Sequence, residues 1–310
     1  MSPQNTGDVH SLDRKVCSFQ PLYAKTAIAS CLIISWSVLN LKRSVKKNLP
    51  PLTELISLRG KKALITGSGT GIGAAIAYRF AEAGADLDLL DIDEEKLNKV
   101  KENLRQFTTE ITIHKVNLSA KGEIDSFWKK MHGKEPDILI NNAGIYPTKP
   151  FLDVDEAFLK KVMDVNLSAV FWMCQHMIRG RIKKGGTIIN TGSIEAVMPL
   201  KEGLSHYDIS KAGVMVLSRA LASEYGKRGF RINVIVPGGI WTQGTKNIAK
   251  EAIKFKTDVI KSGIEYRMRT PLDRMGKPDE IARMALVLAS DLSSYVNGTL
   301  VVVDGGFLSA

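Results

Sequence analysis

Seven short apolar runs punctuate the chain at residues 62–66, 86–91, 111–116, 137–141, 186–191, 231–236 and 299–303, each separated from the next by a segment long enough for a helix. That alternation predicts parallel strands joined by right-handed helical crossovers, a doubly wound, Rossmann-like α/β sheet of seven strands in one domain. Behind the first run, Ile72, Ile76 and Phe80 recur every four residues and share one helical face. The Pro-Pro pair in "NLPPLTELISLRG" sets a boundary near residues 56–58, dividing an N-terminal extension, 1–56, from the folded domain, 57–310. No internal repeat or low-complexity tract is visible. One strand breaks its pattern: Asp86 and Asp88 alternate with leucines where both faces should be buried, so Asp88 requires a basic partner.

Four glycines lie between Gly67 and Gly73, where the chain leaves the first strand and enters the first helix. Backbone N–H groups at a helix start lack intrahelical partners and carry partial positive charge, so a pyrophosphate docks there when no side chain blocks it. A tight turn without a ligand fits the same pattern. In a doubly wound sheet, ligands bind beyond the carboxyl ends of the strands. Thr66-Gly67, Asp91, Asn117, Asn141 to Gly144, Ser193 and Pro237-Gly238 all follow strand ends and converge on that edge. Asp91 stands eighteen residues after Gly73, and a carboxylate there accepts from both ribose hydroxyls while repelling a 2′-phosphate. This favours NAD, with NADP not excluded; an acid that merely ends a strand is the plainer reading.

Tyr207 and Lys211 are four residues apart at the start of the helix after the fifth strand, and so share a face. A phenol titrates near pH ~10, and an ammonium within about 4–6 Å lowers that value. Taken alone, the pair also fits a solvated helix surface.

Composition narrows the classes of function. The 310 residues are 44% hydrophobic and 24% charged, with a formal net charge of +11. Residues 1–50 hold seven Lys and Arg against two acids, and the rest shows no arginine-rich tract or zinc-finger spacing, which argues against nucleic acid as a partner. Cys17, Cys31 and Cys174 are odd in number and far apart, and the five histidines offer no metal-ligand spacing, so neither a disulfide framework nor a metal is expected. Sixteen uncharged residues, 26–41, lie between Lys25 and Lys42. As a helix they rise about 24 Å against roughly 30 Å of bilayer hydrocarbon. Flanking lysines can snorkel, and "LKRSVKK" holds the following side in the cytoplasm, so membrane contact through 26–41 beside a cytoplasmic domain stands against a surface-lying or disordered extension.

Thr66-Gly67-x-x-x-Gly71-x-Gly73, Asp91, Asn141-Asn142-Ala143-Gly144, Asn166, Ser193, Tyr207-x-x-x-Lys211 and Pro237-Gly238-x-x-x-Thr242 resemble, in order and approximate spacing, the short-chain dehydrogenase/reductase family. The resemblance covers roughly residues 57–310, including the closing "VNGTLVVVDGGF". It implies an NAD(P)-dependent oxidoreductase moving hydride between the nicotinamide and a secondary alcohol or ketone. Gly67, Gly71 and Gly73 would form the turn under the pyrophosphate with Ile72 beside it. Asp91 would hold the adenine ribose, and Asn142, Ala143 and Gly144 would line the adenosine side. Tyr207 would be the general acid/base. Lys211 would depress its pKa and bind the nicotinamide ribose, Ser193 would bond the substrate oxygen, and Asn166 would hold a relay water. Ile240 and Thr242 would meet the carboxamide. A homodimer or homotetramer is implied, packed through the helices starting near Asp153 and Tyr207.

Two positions depart from the family pattern. Asn117-Leu118 stands where an aspartate is common, leaving an amide oxygen to accept from the adenine amino group. The Ser193–Tyr207 spacing is one residue long, so the loop between them is expected to bulge. Residues 243–270, a helical lid by position, carry seven basic groups against three acids, fitting either an acyl-thioester partner or a solvated face. Pocket candidates are Tyr146, Glu195, Leu200, His206 and Trp241, of which Glu195 and His206 suit a sugar or polyol. A 3-oxoacyl-thioester reductase is the alternative enzyme, and a non-catalytic dinucleotide sensor or scaffold the alternative outside enzymes.

Overall fold

The computed structural model describes residues 49–242 and 266–310. The chain divides between Pro51 and Leu52 into two units, and the second, Leu52–Ala310, holds the sheet and the candidate site. The apolar segment 26–41, Cys17, Cys31 and most of the basic 243–270 region lie outside the described residues. Among the described residues no helix is long and apolar enough to cross a membrane.

After a short helix α1 (Leu52–Leu55), strand and helix alternate: β1 (Lys62–Thr66), α2 (Gly71–Glu82), β2 (Asp86–Asp91), α3 (Glu94–Asn103), β3 (Ile111–Lys115), α4 (Lys121–Lys130) and β4 (Ile138–Asn141). The second half adds α5 (Glu156–Met163), α6 (Ala169–Arg181), β5 (Gly186–Thr191), α7 (Ser205–Tyr225), β6 (Phe230–Pro237), α8 (Pro278–Ala289) and β7 (Leu300–Val303). All seven strands are parallel, in the order β3-β2-β1-β4-β5-β6-β7. They fall on the seven predicted runs, with ends differing by about a residue. The strand order reverses between β1 and β4, which opens the crevice where this class of sheet binds ligands.

Alternation along each strand loads both faces of the sheet. Ile65, Leu87, Leu89, Ile140, Ile189 and Ile235 pack against Ile76 and Phe80 of α2 and Ile281 and Ala285 of α8. Their neighbours Leu64, Leu90, Leu139, Ile188 and Ile232 pack on the opposite side against Phe127 and Trp128 of α4 and the apolar faces of α6 and α7. Being covered twice is why these strands read as unbroken apolar runs.

Asp88, 1% exposed, has the basic partners its burial demanded. Its Oδ1 meets His114 Nε2 at 2.8 Å, and its Oδ2 lies 3.2 Å from Lys62 Nζ. Both partners come from the strands flanking β2, so the carboxylate is neutralised across the sheet. Helix starts are capped locally: Asp93 Oδ1 accepts from Lys96 N–H (3.1 Å) and Asp155 Oδ1 from Phe158 N–H (2.8 Å).

A second buried polar group runs through the middle of the molecule. Asn141 Nδ2 donates to Asn190 Oδ1 (2.8 Å), Asn190 Nδ2 to Ser218 Oγ (2.8 Å), and Ser218 Oγ to the Val214 carbonyl (2.6 Å). This thread links β4 through β5 to α7, with Cys174 packed beside it.

Candidate active site

The turn after β1 is built to leave peptide groups bare. Gly67 and Gly71 adopt φ of 62° and 59°, a region side chains rarely enter. A methyl on Gly73 would overlap the Gly67 carbonyl oxygen and come within 2.7 Å of Asn142 Nδ2. Thr66 Oγ1 accepts from the N–H groups of Asn142 (3.0 Å) and Ala143 (3.1 Å), while Asn142 Nδ2 donates to the Thr66 (3.1 Å) and Gly67 (3.2 Å) carbonyls. These bonds lock the end of β4 to the turn. Helix α2 begins at Gly71 behind Thr70, whose side chain makes no capping bond, so the turn fits a pyrophosphate at a helix start.

Asp91 stands at the rim of that turn. Its Oδ2 accepts from Gly69 N–H (3.0 Å) and its Oδ1 from Asp93 N–H (3.1 Å). Each oxygen keeps a lone pair free, enough for a pair of ribose hydroxyls. Asn117 is turned to local use: its Oδ1 accepts from Ser119 N–H (3.1 Å) and Oγ–H (2.7 Å), and Leu118 packs against the core. The amide oxygen expected at the adenine is therefore engaged twice by its own turn.

The sheet edge opens into a cavity of about 740 Å³. Ile72, Asn142, Gly144, Ser193, Tyr207 and Lys211 line it, joined by Pro237, Gly238, Ile240 and Thr242 from beyond β6. Gly67, Gly71, Gly73 and Ala143 form the turn beside it: Ala143 Cα lies 2.7 Å from where a Gly67 Cβ would stand, and Thr242 Cγ2 3.5 Å from that of Gly71. Tyr207 and Lys211 face the same cavity, as their spacing in α7 requires, with Lys211 Nζ 5.9 Å from the Tyr207 ring centre. The ammonium also donates to the Thr191 carbonyl at the end of β5 (2.8 Å).

Burial decides the protonation of this pair. The Tyr207 phenol is pushed up to about 12, chiefly by desolvation; its hydrogen bond with Ser193 opposes that, and Glu195 and Asp208 add to it. Desolvation likewise pulls Lys211 down to about 8. Desolvation leads in both cases, because removal from water favours the neutral form of each group. Lys211 remains mostly protonated at neutral pH.

Asn166 lies in a π-helical turn, Asp164–Ser168, joining α5 to α6. Its Oδ1 accepts from Ile145 N–H (2.8 Å), and its Nδ2 donates to the Ile145 carbonyl (2.9 Å) and Ser210 Oγ (3.2 Å). Both amide hydrogens are used, so the side chain braces the strand exit above Lys211 and keeps only acceptor capacity for a water. Ser193 Oγ accepts from Glu195 N–H (3.2 Å), which starts the turn Ile194–Ala196.

Glu195 is 8% exposed and lines the cavity. Tyr146 Oη–H donates to its Oε1 (3.2 Å) and Leu200 N–H to its Oε2 (2.9 Å). The Tyr146 ring meets that of Tyr207 edge-on at 4.5 Å, and burial together with Glu195 pushes its phenol above the ordinary range. Tyr146, Glu195 and Leu200 are thus cavity residues, as expected. Two candidates are corrected. His206 is buried off the cavity, with Nε2 2.8 Å from the Pro147 carbonyl and its ring against Phe158. Trp241 is 49% exposed and is not among the residues that line the cavity, whereas Ile240, joined to Gly276 by a parallel bridge, is.

Tyr266, Phe307 and Lys201 are wall residues that escaped sequence reasoning, and Arg269 entered it only as one of the basic groups of 243–270. Tyr266 and Phe307 stack at 4.6 Å, and Tyr266 Oη accepts from Gly239 N–H. Lys201 and Arg269 add positive charge. Their shared position on the wall depends on how the C-terminal segment folds back, which no local pattern records. Among the described residues no group of three or more His, Cys, Asp and Glu is placed to hold a metal.

A bare glycine turn at the reversal point of a parallel sheet, with a tyrosine and lysine on the next cavity wall, defines a dinucleotide-binding oxidoreductase fold. Residues 67–308 match the family model described as enoyl-(acyl carrier protein) reductase. The chain is 36% identical over 254 residues to the 3-oxoacyl-[acyl-carrier-protein] reductase FabG of Chlamydia pneumoniae, covering 81% of this chain and 98% of that protein. It is 36% identical over 262 residues to the 2-dehydro-3-deoxy-D-gluconate 5-dehydrogenase of Bacillus subtilis strain 168, covering 83% and 98%. The crystal structure of a short-chain type dehydrogenase/reductase from Mycobacterium marinum superposes with a TM-score of 0.77 at 30% identity, covering 84% of this chain and all of that one. Structures of other similar chains hold NADP or NADH. The protein belongs to the short-chain dehydrogenase/reductase family.

Proposed function

We propose that the protein is an NAD(P)-dependent oxidoreductase acting on a secondary alcohol or ketone, with a sugar or polyol as the favoured substrate class. The observation that carries this reading is the convergence of Ser193, Tyr207 and Lys211 on one cavity beside the bare turn. Bound across the crevice, the nicotinamide supplies a hydride acceptor or donor. Gly67, Gly71 and Gly73 would seat the pyrophosphate, and Lys211, Ile240 and Thr242 the nicotinamide half. Asn142, Ala143 and Gly144 would flank the adenosine side, with Asn117 and Leu118 at its far edge. Asp91 supports NAD over NADP, since its carboxylate sits where a 2′-phosphate would add a second negative charge.

In the reductive direction the Tyr207 phenol protonates the developing alkoxide; in the oxidative direction it is the phenolate form of Tyr207 that takes the alcohol proton. Ser193 holds the substrate oxygen against Tyr207, and their hydrogen bonds count for most where the bound substrate has displaced water. Lys211, charged below about 8, offsets the negative charge that appears on the phenol. Asn166 holds Ile145 and Ser210 so that this geometry survives turnover. Tyr207→Phe is expected to abolish turnover while NADH binding, read by fluorescence, stays within about twofold. Substantial residual turnover would remove Tyr207 from this role.

A second reading, reduction of a 3-oxoacyl thioester, is supported by the similarity to FabG and by the cations on the cavity wall. An NAD(P)H activity panel over both substrate classes separates the two. The family supports a homodimer or homotetramer, which light scattering tests.

A further inference from the structure

Besides Lys211, the cavity wall carries three charged groups that have no ion-pair partner among the described residues: Glu195, Lys201 and Arg269. They are not equivalent. Glu195 is buried next to the reacting groups, since its N–H bonds Ser193 and its carboxylate bonds the tyrosine packed on Tyr207. Two of its roughly four lone-pair sites are filled by Tyr146 and Leu200, so two remain for donors on a ligand. An anion placed there would be repelled, and a bare hydrocarbon would bury the charge without compensation.

Lys201 lies further along the loop from Glu195, and Arg269 is exposed. The guanidinium is held over the Phe307 ring at 4.7 Å, with Nη2 2.8 Å from Met198 Sδ. Phe307 is itself 2% exposed and stacked on Tyr266, so the platform is fixed before any ligand arrives. Arg267, two residues earlier, grips Asp273 through two side-chain bonds of 2.8 and 3.0 Å. Arg269 has no such carboxylate among the described residues and keeps its fork of donors for one.

We propose that the pocket selects a polyhydroxylated substrate with an anionic group, carboxylate or phosphate, at the end away from the reacting carbon. Its hydroxyls meet Glu195, and its anion meets Lys201 and Arg269. This rests on the hydride-transfer reading and deepens it. It also weighs against an acyl thioester, whose methylenes would lie on Glu195.

The test is calorimetric titration of the full chain, loaded with NADH, using gluconate, glucitol 6-phosphate, neutral glucitol, and hexanoate as an anion without hydroxyls. One or both polyhydroxylated anions should bind at least about tenfold tighter than glucitol, the size of one or two charge-assisted bonds. Which of them does so decides between carboxylate and phosphate. The advantage should collapse in Lys201→Gln/Arg269→Gln, while Glu195→Gln should narrow the gap between gluconate and hexanoate. Anionic probes binding no better than glucitol, hexanoate matching gluconate, or an unchanged ranking in the double variant overturns the proposal. Turnover of the same compounds with NAD(P) is scored separately: its complete absence defeats the hydride-transfer reading, whereas the binding ranking still decides the pocket.

Discussion

Gly73→Ala is the sharpest probe of the cradle, because the structure fixes what the added methyl meets. It overlaps the Gly67 carbonyl oxygen and lies 2.7 Å from Asn142 Nδ2 and 2.8 Å from the Gly67 carbonyl carbon. Neither neighbour is the loose end of a flexible chain. The carbonyl is backbone, and the amide is held by the Thr66 and Gly67 carbonyls. Relief requires the turn to open, with overpacking strain of ~1–3 kcal/mol and the weakening of two hydrogen bonds at ~0.5–1.5 kcal/mol each. The expected loss is about 2–6 kcal/mol, a fall in Tm of roughly 5–20 °C for a domain of this size. NADH affinity should fall with it if, as proposed, the same peptide groups seat the pyrophosphate. Two other glycines calibrate the assay. Gly71→Ala meets only Thr242 at 3.5 Å and should lose ~1–2 kcal/mol from its left-handed backbone. Gly122→Ala, in α4 with nothing within 4 Å, should gain ~0.5–1 kcal/mol. Differential scanning fluorimetry with and without NADH ranks the three. If Gly73→Ala is no worse than Gly71→Ala in both conditions, the close approach is not what the glycine serves.

Further expectations concern charge. His114→Ala leaves Asp88 Oδ1 without its 2.8 Å partner inside the sheet and should lower stability by about 1–3 kcal/mol in urea titration; a loss near zero would mean that Lys62 alone suffices. Asp208 is raised from 3.8 to about 6, first by burial and then by Glu195, so its folded form binds a proton more tightly than its unfolded form. Stability from this group is present below about 4 and is lost as pH rises through about 6. Asp208→Asn should flatten the stability profile across that window, and an unchanged slope refutes the assignment. Asp91→Arg should shift the NADP-to-NAD ratio of kcat/KM upward by about 10–100-fold, the worth of a charged hydrogen bond. A wild type that already favours NADPH contradicts the reading of Asp91.

Strand positions were legible because a sheet covered on both sides writes continuous apolar runs; Thr66-Gly67, Asp91 and Ser193 were legible because they follow strand ends, and Tyr207 and Lys211 because their spacing puts them on one helical face. What escaped is tertiary. Asp88 announced a partner, but naming His114 and Lys62 needs the register in which Leu90 faces His114 and Lys62 faces Asp86. His206 sits beside Tyr207 in sequence, yet the twist of one helical residue turns it to Pro147 rather than to the cavity. Trp241 follows Ile240, and only the folded cavity shows which of them lines it. The phenol's pKa could not be read from spacing alone, since desolvation depends on everything packed around Tyr207 and Lys211.

The amide-and-hydroxyl thread from Asn141 through Asn190 to Ser218 has a consequence for alignment. Greasy contacts between a helix and a sheet tolerate small rotations about the helix axis, whereas directional bonds do not. Ser218 lies two turns beyond Lys211 on α7, so the thread indexes that helix like a key in a slot and fixes the angle at which Tyr207 and Lys211 meet the crevice. An all-aliphatic replacement of these three side chains would gain oiliness and lose the stop that keeps Tyr207 and Lys211 aimed.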